Sequence, residues 1–263
     1  MRRVTFLNSA FDPLTLPQTV DAIFTSLQEK KRGWLCTVNV AILMMMRSNP
    51  RLQRFVDQAA LIVPDGQPLI WFGPLFNAPM PERVTGVDLV DELCARAARD
   101  GVGVYLLGAT QDIVSRVAQR LQRANPTLKL TFADGYFGAA EAPARAAAIA
   151  QSGAQILLVG MGVPRQEQFI EEQWDALGVA GGAVGGIGMA IGVGGSFDVL
   201  AGLRQRAPVW VQKIGMEWFY RLIQEPRRLF KRYLVTNSQF LVLIVTCWLR
   251  QAFSGKKIAG KKD

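Results

Sequence analysis

Asp65 stands directly after the apolar run Leu61-Ile62-Val63, in the turn Pro64-Asp65-Gly66. A carboxylate held at the mouth of a buried strand can act as a general base, because desolvation there raises its pKa. The same place suits a turn-forming or helix-capping aspartate equally well. Arg83 lies in Pro81-Glu82-Arg83-Val84-Thr85-Gly86-Val87-Asp88, a guanidinium beside Thr and Gly at a helix entrance. Such a group can grip a diphosphate through charge and helix N-terminal amides. It can equally pair at the surface with Glu82 or Asp88. Small, polar and acidic residues recur where other apolar runs end. They are Thr37-Val38-Asn39, Gly108-Ala109-Thr110, Asp134-Gly135, Gly160-Met161-Gly162-Val163-Pro164-Arg165-Gln166-Glu167 and Gly194-Gly195-Ser196-Phe197-Asp198. One such turn alone is ordinary turn chemistry. All of them together have the composition of a polar ligand pocket.

Several chemistries are excluded. The chain contains no histidine, which removes His-based triads, His general bases and the commonest zinc sites. A base must then be Asp, Glu, Lys, Tyr or Cys. Cys36, Cys94 and Cys247 are scattered without a C-x-x-C spacing, as expected of reduced cytosolic thiols rather than a disulfide framework. Neither G-x-G-x-x-G nor G-x-x-x-x-G-K-[ST] occurs, which argues against a nucleotide-binding oxidoreductase and against a P-loop enzyme. No D-x-D pair is present either. No metal site and no cofactor are therefore expected, and a leaving diphosphate would need arginines and amide dipoles.

The elements that must position these residues follow from periodicity. Val20, Ile23, Phe24 and Leu27 behind Pro17 predict a helix over 17–30. Strands are expected at 34–40, 61–63, 102–107, 128–132, 156–159 and 189–193. Helices are expected after 40 and at 51–60, 87–99, 111–124, 139–152 and 166–177. This alternation predicts an α/β fold, a Rossmann-like parallel sheet with helices on both faces. Ligands then sit beyond the carboxyl ends of the strands, where the polar turns lie. Two further helices, 209–225 and 226–250, are separated at Pro226.

Charge divides the chain. Residues 1–203 carry 17 Lys/Arg against 18 Asp/Glu, and residues 204–263 carry 13 against 3. We therefore expect an α/β catalytic domain over 1–203 and a basic amphipathic helical appendage over 204–263. Its aromatic and arginine content fits a helix lying on an anionic membrane surface. A pure membrane or nucleic-acid binder is disfavoured by the neutral body with its polar strand ends. No signal-peptide pattern opens the chain. The longest late apolar run, 240–249, is shorter than the ~20 residues of a spanning helix. The polar tail Gly255–Asp263 is expected to be disordered.

Taken in order, these motifs resemble the bacterial WecG/TagA/CpsF glycosyltransferase family. The matching residues are Thr37-Val38-Asn39, Pro64-Asp65-Gly66, Arg83 to Asp88, Asp134-Gly135-Tyr136-Phe137, Gly162 to Glu167, Gly192 to Asp198, Arg206-Ala207-Pro208, Glu217 to Arg221 and Glu225 to Arg228. The resemblance implies inverting, metal-independent transfer of a sugar from a UDP donor to an undecaprenyl-diphosphate-linked acceptor. It implies Asp65 as the base, with Thr37, Asn39, Arg83 and Gln166 lining the pocket. Gly108, Asp134, Gly135, Phe137, Gly162, Arg165 and Asp198 would serve the nucleotide side. Arg221, Arg228, Lys231 and Arg232 would reach the diphosphate from the appendage. It further implies a cytoplasmic protein, peripheral on the anionic inner face of the cytoplasmic membrane, without nucleic-acid partners. Self-association into a homo-oligomer is left open. The Gly-rich stretch 180–188 is longer than the usual link and is expected to be an insert near the donor site.

Overall fold

The computed structural model describes residues 2–180, 183–213, 215–224 and 226–253. The tail Gly255–Asp263, for which disorder was expected, lies outside them. The chain opens with an antiparallel hairpin, β1 (Val4–Phe6) and β2 (Ser9–Phe11). Next come α1 (Leu16–Gln28), β3 (Gly33–Val38), α2 (Val40–Ser48), α3 (Pro50–Asp57), β4 (Leu61–Pro64), α4 (Gln67–Phe72) and α5 (Gly86–Asp100). They are followed by β5 (Val104–Gly108), α6 (Gln111–Ala124), β6 (Leu130–Ala133), α7 (Ala142–Gln151), β7 (Ile156–Gly160) and α8 (Arg165–Leu177). A short antiparallel pair, β8 (Val179–Ala180) and β9 (Ala183–Val184), precedes β10 (Met189–Gly192) and α9 (Ser196–Leu200). The chain ends in α10 (Val209–Lys213), α11 (Glu217–Gln224) and α12 (Pro226–Phe253).

Six strands form one parallel sheet in the order β4-β3-β10-β7-β5-β6. Both faces are covered, so the strands are apolar on both sides. Cys36, Val38, Tyr105, Leu107, Leu157, Val159 and Ala190 join a core with α2, α3, α7, α8 and α12. Leu35, Val104, Leu106, Ile156, Leu158, Met189 and Ile191 join a second core with α1, α5, α6 and α9. The doubly wound α/β expectation holds.

The differences from expectation have physical causes. The β1–β2 hairpin is too short to show alternation in sequence. It is fastened by Asp12, whose amide donates to the carbonyl of Ile62 and whose carboxylate accepts the Ile62 amide, both at 2.8 Å. The strand expected from 102 begins at Val104, just after Gly103, which packs closely against Gly153 and Ala154. Where one helix was expected over 209–225, the described residues form two, Val209–Lys213 and Glu217–Gln224, and Gly215 between them packs against Gln67 and Trp71 of α4. The Gly-rich stretch leads into β10, so it lies at the amino end of the sheet. There the amide of Gly33, at the start of β3, donates to the carbonyl of Gly188 at 3.0 Å. Its described part is therefore remote from the strand exits where a donor was expected to bind. No described helix is long and apolar enough to cross a membrane.

Candidate active site

Three separate segments meet at the exits of β3 and β4. Asn39 follows β3 and caps α2, its side-chain oxygen accepting from the amide of Ile42 at 3.1 Å. Such a cap contributes about 1 kcal/mol and fixes the side chain at the helix start. The amide of Asp65 donates to the carbonyl of Val38 at 2.9 Å, and that of Val84 to the carbonyl of Pro64 at 2.8 Å. A Cβ on Gly66 would sit 3.6 Å from the Cα of Asn39. Residues 37–39, 64–66 and 83–85 thus form one cluster with Asp65 half-buried in its middle. Thr37 is buried, and its hydroxyl donates to the carbonyl of Gly192 at 3.2 Å.

The exits of β5, β6 and β7 form a second cluster made largely of backbone. Gly108 has φ +146°, and a Cβ there would lie 2.5 Å from the carbonyl of Gly160. Only glycine allows this approach. The amide of Ala109 donates to Gly160 at 3.1 Å and that of Gly135 to Ala109 at 2.9 Å. Beside this floor, Asp134 accepts the amide of Tyr136 at 2.9 Å and lies 3.6 Å from the Arg145 guanidinium. The Phe137 ring packs edge-on against Phe169, with Arg145 and Arg165 within cation–π range at 5.3 and 5.9 Å. Arg165 also donates to the Phe137 carbonyl at 3.0 Å. Tyr136 is 70% exposed at the rim. Asp198, on α9, pairs with Arg204 at 3.0 Å.

Between the clusters lies Gln166. The family resemblance implies a place on the pocket wall; in the structure the side chain is buried, and its amide is used on both sides. Its oxygen accepts the amides of Gly162 at 3.2 Å and Gly194 at 3.1 Å. Its nitrogen donates to Glu167 at 2.8 Å. Gly162 therefore serves as one anchor of this bridge. Burial pushes the Glu167 carboxyl up from 4.5 to about 7, only partly offset by hydrogen bonds from Gln166 and its own backbone amide. Glu167 and Arg145 were not among the expected site residues.

Arg83 is neither bare nor paired with Glu82. It donates to Glu217, at the start of α11, at 2.7 Å, and both side chains are largely buried. Glu82 instead accepts the Leu16 amide. Arg206 grips Asp88 through its two terminal nitrogens at 2.6 Å, and its Nε approaches Glu217 at 3.8 Å. Burial alone would raise the Asp88 carboxyl, but the Arg206 and Thr85 hydrogen bonds and the nearby arginine charges hold it below the ordinary range. Arg221 lies on α11, and Arg228, Lys231 and Arg232 on the first turns of α12. Their side chains fall outside what the structure describes. Among the described residues no group of three or more His, Cys, Asp or Glu converges as metal ligands do.

Such an arrangement offers a half-buried carboxylate, a neighbouring arginine engaged by a second carboxylate, and a backbone floor flanked by arginines. The model of the glycosyl transferase WecG/TagA/CpsF family matches residues 4–254. The chain is also similar to the N-acetylglucosaminyldiphosphoundecaprenol N-acetyl-beta-D-mannosaminyltransferase of Bacillus spizizenii. The two are 30% identical over 205 residues, 78% of this chain and 76% of the relative.

Proposed function

Since this chain belongs to the WecG/TagA/CpsF family of glycosyl transferases, we propose that it moves a hexose-type sugar from a UDP-sugar to an undecaprenyl-diphosphate-linked sugar. The transfer inverts the anomeric centre, needs no metal and serves surface-polysaccharide synthesis. The observation that carries this reading is the meeting of Thr37, Asn39, Asp65 and Arg83 at the carboxyl ends of neighbouring parallel strands. The relative's name specifies N-acetylmannosamine transfer to a diphosphoundecaprenol-linked N-acetylglucosamine. N-acetylmannosamine, its uronic acid and glucuronic acid are accordingly the donor sugars to try.

In this mechanism Asp65 takes the proton from the acceptor hydroxyl as its oxygen attacks the anomeric carbon. The bond from that carbon to the diphosphate oxygen breaks on the opposite face, and UDP leaves. Charge growing on the diphosphate is met by Arg83, by appendage arginines and by strand-end amides. The chain supplies these groups without histidine or a D-x-D pair, which supports the metal-free reading. Peripheral attachment to the inner face of the cytoplasmic membrane is supported by the basic appendage and by α12. That helix turns Leu234, Val235, Leu241, Val242, Val245 and Trp248 outward.

A donor screen tests the proposal. Purified protein is given a panel of UDP-sugars and a short-chain prenyl-diphosphate-sugar acceptor, with and without EDTA, and UDP release and product mass are followed. Transfer from one donor, at a rate unchanged by EDTA, is the expected result. Absence of both transfer and UDP binding would overturn the reaction class. A loss in EDTA restored by magnesium would overturn the metal-free mechanism.

A further inference from the structure

We infer that Glu167 is a positioning residue for the transfer reaction, fixing the Gln166 amide that ties two strand exits together. The inference rests on the transferase reading above. Its starting point is the Gln166 side chain, which is only 2% exposed. Two backbone N–H groups, from Gly162 after β7 and Gly194 after β10, point at one end of this amide. Both need an acceptor there. The other end faces the Glu167 carboxylate, which accepts from an N–H. One orientation of the amide satisfies all three contacts, and reversing it would set donor against donor and oxygen against oxygen. Glu167 thus holds the nitrogen end of the amide in the polarity with which Gln166 bridges the two loops.

The bridge extends to the acceptor side of the site. A Cβ on Gly192 would lie 2.4 Å from the Gln166 nitrogen and 3.3 Å from the Glu167 carboxylate. The last residue of β10 therefore rests directly on the pair. The carbonyl of that same Gly192 accepts the Thr37 hydroxyl. A line of contacts runs from Glu167 through Gln166 and Gly192 to Thr37, next to the segments that hold Asn39 and Asp65.

Glu167 is an unfavourable choice if packing were its only purpose. It is buried, and its Oε2 takes no hydrogen bond from any described protein group. The residue lines a cavity of about 10 Å³, room for a single water, whose walls are mostly apolar, with Leu35, Leu52, Phe55 and Ile170 beside Cys36 and Thr37. In such walls a leucine would escape the desolvation cost of a carboxyl group. What leucine cannot do is accept the Gln166 N–H.

The test compares Glu167→Gln, whose side-chain oxygen can still accept, with Glu167→Leu in the full-length protein. Amide hydrogen exchange is read at Gly162 and Gly194, and kcat and KM are measured with the donor that the wild type uses best. The glutamine variant should keep slow exchange at both glycines and near-normal transfer. The leucine variant should exchange faster at both, with kcat lowered about a hundredfold per folded molecule, as expected for ångström-scale misplacement of reacting groups. If the leucine variant does not fold, Glu167→Asp, too short to reach Gln166, should show the same loss. Wild-type exchange at the two glycines, or a wild-type kcat, in the leucine or aspartate variant would overturn the inference. A wild type that transfers no sugar strikes the transferase reading alone, and the exchange comparison then decides the bridge by itself.

Discussion

The backbone at Asp65 is fixed on both sides: its own amide donates to the carbonyl of Val38, and the preceding carbonyl accepts the amide of Val84. Replacing its carboxylate by an amide should therefore leave the turn intact. Asp65→Asn should fold, bind UDP by calorimetry as the wild type does, and lose transfer by about a thousandfold, the weight of a general base. Near-normal transfer would remove Asp65 from that role. Glu167 gives a prediction of a different kind. Its carboxyl titrates at about 7 in the fold, against an ordinary 4.5, because burial disfavours the charge. The native state holds a proton that the unfolded chain releases between those values. The stability this group contributes is full below about pH 4.5 and is lost as pH rises through about 7. Cys36 on β3 adds no cation, and Arg51 in the adjoining cavity wall is already paired with Glu171 and Glu172. Above pH 8 Glu167→Gln should therefore exceed the wild type by about 3 kcal/mol in urea unfolding, with the difference closing toward pH 4. Parallel curves across that range would refute a raised value. Asp65 was legible in the sequence because an apolar run delivers it to a turn. Glu167 was not, because an acidic residue in the first turn of a helix ordinarily reads as a solvated partner of the helix dipole. Only the packing of β3, β10 and α3 around it shows it to be buried.

The elements that carry the cluster were legible in proportion to their length. Helices such as α5 and α6 bury a regular stripe, Leu89, Val90, Leu93 and Ala97 in one and Val114, Val117, Ala118 and Leu121 in the other, and that period is visible in the letters. The hairpin β1–β2 and helices α4 and α9 are too short to repeat any pattern. No local pattern could pair Arg83 with Glu217, which are held together by packing across 134 residues. That pair sets α11 against the strand exits. The Glu217 carboxylate sits on Arg83 and near Arg206, so it occupies an arginine proposed to receive diphosphate. Anion binding at Arg83 must then compete with it. Glu217→Gln should lower the melting midpoint of the ligand-free protein, since two partly buried guanidinium groups lose a charged partner, at a cost of about 2 kcal/mol. The same change should tighten UDP binding by about tenfold, because the competing carboxylate is gone. Calorimetric titration of UDP into both proteins checks this. An unchanged or weakened UDP affinity would place Arg83 outside the diphosphate site.

At the scale of the whole molecule, the neutral stretch up to 203 and the basic stretch from 204 differ in charge but share a core. Phe240 and Ile244 of α12 are buried in the same cluster as the β1–β2 hairpin and α2, with the Phe240 ring 5.8 Å from Phe72 and 6.4 Å from Phe6. The charge division was plain in composition, whereas the shared core was not, since half of α12 has the apolar character of its other half. One side of the helix, through Phe240, Leu243 and Ile244, faces the protein. The other, through Leu234, Leu241, Val242, Val245 and Trp248, remains exposed. Removing the segment from 204 onward would therefore strip core residues as well as the outer face, and loss of activity would not distinguish the two. Val242→Glu with Val245→Glu changes the outer face alone. If that face enters a lipid surface, the pair should weaken sedimentation with phosphatidylglycerol vesicles by about tenfold or more, since two apolar side chains and two added anions act together. Raising salt should weaken the wild type further through the basic residues. UDP affinity and transfer to a short-chain, water-soluble acceptor should stay at wild-type levels, because neither needs the membrane. Undiminished vesicle binding would assign the membrane contact to the basic residues alone. Loss of transfer to the soluble acceptor would instead make the outer face of α12 part of the catalytic assembly.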